Sequence, residues 1–272
     1  MSKISPQALV DPKANLADDV EVGPFCLIGP DVTIGAGTRL LSHVVVKGRT
    51  TIGQSNVIHS HAVIGGPPQD LKYRGEPTGV EIGNNNVFRE AVTVNLGTVY
   101  GSKVFGGGVT RIGNDNLLMV NTHVGHDAQI GSGCILANNV MIAGHIVIGN
   151  KVNLNGGVGI NAWVSIGDFA YIDGYSRVHH DVPPFVKTTD NKVRSLNDIG
   201  LRRGGFTDSD IEALEDAARN LFLSKEKKTF AAALREFDTM NGLNPHVKCM
   251  IEFLRRRDQG KHGRYLESLR PK

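Results

Sequence analysis

The chain has 272 residues and a 40% apolar share, enough for one large domain or a domain with a small appendage. Thirty basic against 27 acidic residues leave a net charge of +3, too balanced to signal nucleic acid. No stretch approaches the ~18 consecutive apolar residues of a membrane helix, and Met1–Val10 has no signal-peptide run. Three cysteines, Cys26, Cys134 and Cys249, stand at no metal-ligand spacing and read as free thiols of a reducing, cytoplasmic compartment. Many glycines (33) and few aromatics (6%) favour tight repeated turns around a narrow core.

From Ile4 an aliphatic residue recurs every six positions: Val10, Leu16, Val22, Ile28, Ile34, Leu40, Val46, Ile52, Ile58, Ile64. The series resumes in phase at Ile82, Phe88 and Val94, and again from Ile112 to Val178. A period of six fits neither a helix nor an alternating strand. It fits a short strand, a turn and another short strand, with three such units making a triangular coil of 18 residues. Stacked coils pair their strands in parallel, and the aliphatic residues fill the prism. The small residue after each aliphatic, as in Ile52-Gly53 or Ile130-Gly131, is expected to serve a tight corner. Near 65–81 and 95–111 the Ile-Gly signal advances by 30 instead of 18, so each segment carries about twelve extra residues as a loop. Loops on a rigid scaffold are where function concentrates.

After Asp181-Val182-Pro183-Pro184 the periodicity stops. Thr207–Asp210 reads as a capping signal before a helix with Ile211, Leu214, Ala218 and Leu221 on one face. Further helices are predicted over roughly Thr229–Met240 and Pro245–Arg257. The chain is thus divided into a β-helix, 1–186, and a small helical region, 187–272.

Residues 18 apart stack on one face, which turns the sequence into columns. His126, Gly144 and Ala162 form one; Asp127, His145 and Trp163 the next; Gly125, Ala143 and Asn161 the one before, with Asn95 joining it across the second loop. His123 lies nearby. A histidine here suits a general base, an adjacent carboxylate suits its orienter, and the N–H of Gly144, directly over His126, suits an oxyanion. Three histidines also invite a metal reading.

The segments Asn116–Asp127 and Cys134–His145 are similar to the core of the acyl-carrier-protein-dependent UDP-N-acetylglucosamine O-acyltransferases, hexapeptide-repeat enzymes that open lipid A synthesis. Further likeness lies in Ser42–Val46, Gln69-Asp70-Leu71-Lys72-Tyr73, Gly75–Thr78 and Asp181–Pro184, and it extends over nearly the whole chain. The resemblance implies a left-handed parallel β-helix forming a homotrimer, with active sites between subunits. It implies transfer of a 3-hydroxyacyl chain from acyl carrier protein to a UDP-sugar, with no cofactor and no metal. It places the base at His126, its support at Asp127 and the oxyanion N–H at Gly144. It assigns substrate contacts to Gln69, Asp70, Lys72, His123, His145 and Asn161, and donor-arm or diphosphate contacts to Asn197 and Arg203. An acyl-length ruler falls near Gly174 and Lys192.

The chain departs from the family pattern at Asn95 and Asn161, where histidine is common, at Ala162, where glutamine is, and at Gly204, where a second basic residue follows Arg203. Its second loop is also longer. An amide-forming relative acting on a 3-amino sugar is the alternative within this fold. A zinc hydratase of the carbonic anhydrase type and a non-enzymatic scaffold are alternatives outside it. Arg202, Arg203, Lys225, Lys227, Lys228, Arg255, Arg256, Arg257, Lys261 and Arg264 form a basic cluster suited to an acidic carrier protein.

Overall fold

The computed structural model describes residues 3–102, 106–223 and 229–270. Its main body is a left-handed parallel β-helix of triangular coils. Among the described residues the first face carries 11 strands, the second nine and the third eight. Pairing is parallel at a spacing of 18, as in Leu118↔Leu136, or of 30 across the two loops, as in Ile52↔Ile82 and Ile82↔Ile112. Ile28, Ile34, Leu40, Ile52, Ile58, Ile64, Leu118, Leu136 and Ile142 are all essentially inaccessible, so the six-residue series is the core. No single coil closes its own apolar face, and stability comes from stacking.

The glycines after the aliphatic residues have a different job from the one expected. A Cβ on Gly83 would lie 2.7 Å from the carbonyl oxygen of Gly113, and one on Gly131 would lie 2.6 Å from that of Gly149. These glycines let successive coils approach at backbone contact. The left-handed corner position falls two residues later, at Ser55, Asn85, Asp115, Lys151 and Phe169, each with φ between 54° and 59°. Non-glycine residues rarely adopt this conformation, and the packing of the coils holds them there.

Side-chain ladders reinforce this corner. Inside, Asn86 donates through N–H and Nδ2 to Asn56 Oδ1 (both 2.9 Å), and its own Oδ1 accepts from Asn116 N–H (2.9 Å) and Nδ2 (3.0 Å). Outside, the N–H groups of Asn84, Asn114, Ser132 and Asn150 each donate to the side chain of the residue one coil on, ending at Asp168. Each carboxamide thus satisfies backbone groups left free by the corner.

Strand pairing continues past residue 186. Val186–Thr189 adds to the first face and turns back through Lys192–Leu196 as an antiparallel hairpin. Helices follow at Asp198–Arg203, Asp208–Ala218, Phe230–Glu236, Pro245–Asp258 and Tyr265–Ser268. The capping box at Thr207 and Asp210 is formed, and the helix it opens widens into a π turn over Arg219–Leu223. The short helices at Asp198 and Tyr265 carry too few residues for periodicity to show. The C-terminal segment is tied to the prism by Asp181, whose buried carboxylate accepts the N–H groups of Ser165 (2.7 Å) and Tyr265 (2.8 Å). Burial raises its pKa to about 6. No helix among the described residues is long and apolar enough to cross a membrane.

The basic cluster is not a set of free cations. Arg202 pairs with Asp208, Arg255 with Asp238 and Arg264 with Glu267, while the Arg257 guanidinium lies 4.7 Å from the centre of the Phe230 ring. Lys225, Lys227 and Lys228 lie outside the described residues.

Replacing Asn86 by alanine orphans donors and acceptors on two neighbouring coils. Urea unfolding should show a loss of about 3 kcal/mol; a loss below about 1 kcal/mol would mean that the ladder contributes little beyond packing.

Candidate active site

Both loops leave the prism at the same corner, where the second face turns into the third. The first runs between Gly66 and Gly79 and the second between Asn95 and Val109. One, two and three coils beyond the second loop, this corner carries the columns of His126 and Asp127, with Asp127 (φ 60°), His145 (59°) and Trp163 (70°) in the left-handed position. The repeat supplies the spacing, and the loops supply walls.

Asp127 is fully buried. Its carboxylate accepts the Thr98 N–H (3.0 Å to Oδ1, 3.1 Å to Oδ2) and the Thr98 hydroxyl (2.7 Å to Oδ2). The N–H of Asp127 donates to Thr110 Oγ1 at 2.9 Å. His126 Nδ1 lies 2.9 Å from Asp127 Oδ2. An ionised carboxylate only accepts, so Nδ1 carries the proton and Nε2 keeps its lone pair. The His126 ring sits against Gly144: a Cβ there would lie 2.5 Å from Nε2, so only glycine leaves room. Among the described residues the Gly144 N–H has no hydrogen-bond acceptor.

His145 lies behind this pair. Its ring stacks on Trp163 (centroids 4.0 Å apart, 13° between planes) and meets His126 edge-on at 4.8 Å. Tyr100, from the second loop, touches both His145 and Trp163, and Lys72 Nζ lies 5.0 Å from the centre of the Tyr100 ring. Burial holds the His145 pKa well below the ordinary imidazole range, against the attraction of Asp127 3.6 Å away. His123, bonded through Nδ1 to Thr93 Oγ1 (2.8 Å), is also lowered, first by burial and then by His126.

A groove of about 610 Å³ runs along the second face from this corner. His123, His126, Gly144, Asn161, Asn95 and Gln69 line it, and its floor continues through Met141 and Gly159 to Arg177 and His179. Asp70 and Lys72 stand aside from the lining: Asp70 Oδ1 accepts the Lys72 N–H (2.9 Å) in a local turn. Asn197 and Arg203 belong to a different groove, of about 670 Å³ on the first face, with Lys151, Phe169, Tyr171 and Lys187. Asn197 is occupied within the chain, accepting from Gly200 N–H (3.3 Å) and donating to Phe169 O (2.8 Å). A side chain at 204 would meet the Phe169 ring at 2.4 Å, which accounts for glycine there. One chain therefore does not unite all the expected residues. Thr98, Thr110, Tyr100 and Arg177 were not singled out by sequence; the first and third lie in or beside a loop, where column spacing gives no guidance.

His126, Asp127 and His145 each place one ligand-type atom within 4.8 Å of the others. Both oxygens of Asp127 already accept from Thr98, and Oδ2 lies 2.9 Å from His126 Nδ1, an arrangement suited to orienting an imidazole.

Since His145 is neutral when folded and ordinary when unfolded, its contribution to stability is present above pH ~6.5 and lost as pH falls below it. By NMR its ring resonances should stay at their neutral positions down to pH ~5.5; a midpoint near 6.5 would contradict its burial.

Residues 110–144 match the family model for bacterial transferase hexapeptide repeats, and residues 181–263 that for domain 2 of UDP N-acetylglucosamine O-acyltransferase. The chain is 40% identical over 262 residues to the acyl-[acyl-carrier-protein]–UDP-N-acetylglucosamine O-acyltransferase of Thermodesulfovibrio yellowstonii, covering 96% of this chain and 99% of the relative. Among solved structures, the UDP-N-acetylglucosamine O-acyltransferase of Moraxella catarrhalis aligns with a TM-score of 0.85 at 41% identity, over 92% and 96% of the two chains. The UDP-N-acetylglucosamine acyltransferase of Bacteroides fragilis gives 0.86 at 35%, over 93% and 96%. With repeat, helical region and corner all within that likeness, the chain belongs to the acyl-[acyl-carrier-protein]–UDP-N-acetylglucosamine O-acyltransferase family.

Proposed function

We propose that this acyltransferase moves a 3-hydroxyacyl chain from acyl carrier protein to the 3-position of UDP-N-acetylglucosamine, the first step of lipid A biosynthesis, in the cytoplasm. The observation that carries the reading is His126: its Nδ1 is held by a buried carboxylate, and its ring borders a groove beside Gly144, whose N–H has no acceptor among the described residues. In the reaction the sugar hydroxyl gives its proton to His126 Nε2 while its oxygen attacks the thioester carbonyl. Gly144 N–H receives the oxyanion. The C–S bond then breaks, and the imidazolium returns the proton to the departing thiolate. Asp127 stabilises the imidazolium between the two transfers. His123, Gln69 and Asn161, which line the groove, contact the sugar, with His145, Asp70 and Lys72 supporting its wall.

Asn197 and Arg203 contact the nucleotide or the donor arm from a neighbouring copy. This reading rests on the two grooves lying on different faces, so that a complete site needs the first face of one subunit against the second face of another. A homotrimer supplies three such pairings by symmetry.

His126→Ala should lower transfer from 3-hydroxyacyl carrier protein by roughly 10²–10⁴-fold while the protein stays folded. The assay offers UDP-N-acetylglucosamine and its 3-amino analogue side by side. Preference for the first supports ester formation; preference for the second replaces it with amide formation. Co-expressed His126→Ala and Arg203→Ala chains should regain activity that neither variant has alone. Failure of mixed assemblies to regain any would place both residues in one subunit's site.

A further inference from the structure

The carboxylate of Asp127 does not border the groove, and among the described residues the hydrogen bonds to it come from His126 and Thr98. Oδ2 receives both the Thr98 hydroxyl, at 2.7 Å, and His126 Nδ1, at 2.9 Å. Two donors meeting on one oxygen, with the Thr98 N–H spanning both, fix the plane of the carboxylate and through it the plane of the imidazole. Thr98 is itself immobilised. Leu96 N–H donates to Gly66 O (2.8 Å) and Gly97 N–H to Gly79 O (3.1 Å), so the strand leading to it is bonded to both ends of the first loop. A Cβ on Gly97 would lie 2.3 Å from the backbone of Gly108, where the second loop returns. The ends of both loops therefore converge on the residue that grips the acid.

We propose that Thr98 is a positioning residue of the acyl transfer, holding Asp127 so that His126 keeps its proton on Nδ1 and presents Nε2 to the acceptor. This rests on His126 being the base. A carboxylate with fixed donors stabilises the imidazolium without reorganising when the proton arrives, and a displacement of about 1 Å in such a chain is enough to slow the reaction about a hundredfold. Thr98 touches no substrate in this account, so its loss acts on turnover and leaves binding intact.

Thr98→Val keeps the shape and the backbone N–H and removes the hydroxyl. Its kcat should fall roughly ten- to a hundredfold, with KM for carrier-bound donor and for UDP-sugar each within about twofold of wild type. Thr98→Ser should recover most of the rate. In an Asp127→Asn background Thr98→Val should change the rate by less than about twofold, because the group it acts through is gone. Should the valine variant fail to fold, Thr98→Ala carries the same expectations. A kcat within twofold of wild type for Thr98→Val, an equal fall in the Asp127→Asn background, or a serine variant as slow as valine would each overturn the proposal. His126→Ala is measured alongside. Wild-type turnover there would show that the base assignment has failed, whereas an inactive His126→Ala with normal Thr98→Val refutes the role of Thr98 alone.

Discussion

Everything in this molecule depends on coils stacking at one strand spacing, about 4.8 Å, with backbone touching backbone at the corners. The glycines after the aliphatic residues permit that approach, and the inward aliphatics supply the apolar burial. Once the spacing is set, residues 18 apart become neighbours, and chemistry distant in sequence becomes local. His126 and Gly144 illustrate this: one coil apart, they bring an imidazole against a backbone that carries no side chain.

The same constraint has a cost, which the protein meets with side chains. Corners force residues such as Ser55, Asn85, Asp127 and His145 into left-handed backbone conformations. At the corner between the third and first faces, asparagine ladders answer the orphaned backbone groups. At the site corner the answer is different: Thr110 takes the Asp127 N–H, and Thr98 takes the carboxylate. One strained corner is thus stabilised by an asparagine ladder and another by a chain of hydrogen bonds through Thr98, Thr110, Asp127 and His126.

The prism was legible because a period of six repeats many times and survives two interruptions in phase. Asn95 could be placed beside Gly125 by counting 30, and the structure puts both on the groove. The columns of His126 and Asp127 followed in the same way. Thr98 was not legible, since a residue entering a loop has no column, and its partner is chosen by the path of the loop. Spacing alone does not separate a corner needing positive φ from a strand end needing close approach, so the role of the glycines emerges only from the packed coils. Sequence groups Arg255–Arg257 with the other basic residues, and only the structure shows that Arg255 pairs with Asp238 and that Arg257 lies over the Phe230 ring. The six-residue helix at Asp198, capped by Asn197, was too short to show a period.

The proposed chemistry turns on which atom His126 faces when substrates are in place. The most direct measurement is a structure of the assembled enzyme with bound UDP-N-acetylglucosamine. The account predicts the sugar 3-oxygen within hydrogen-bond reach of His126 Nε2, about 2.6–3.2 Å, with Arg203 of an adjoining copy on the nucleotide side. A sugar seated in the groove with its 3-oxygen turned away from His126, or a site completed without a second copy, would contradict it.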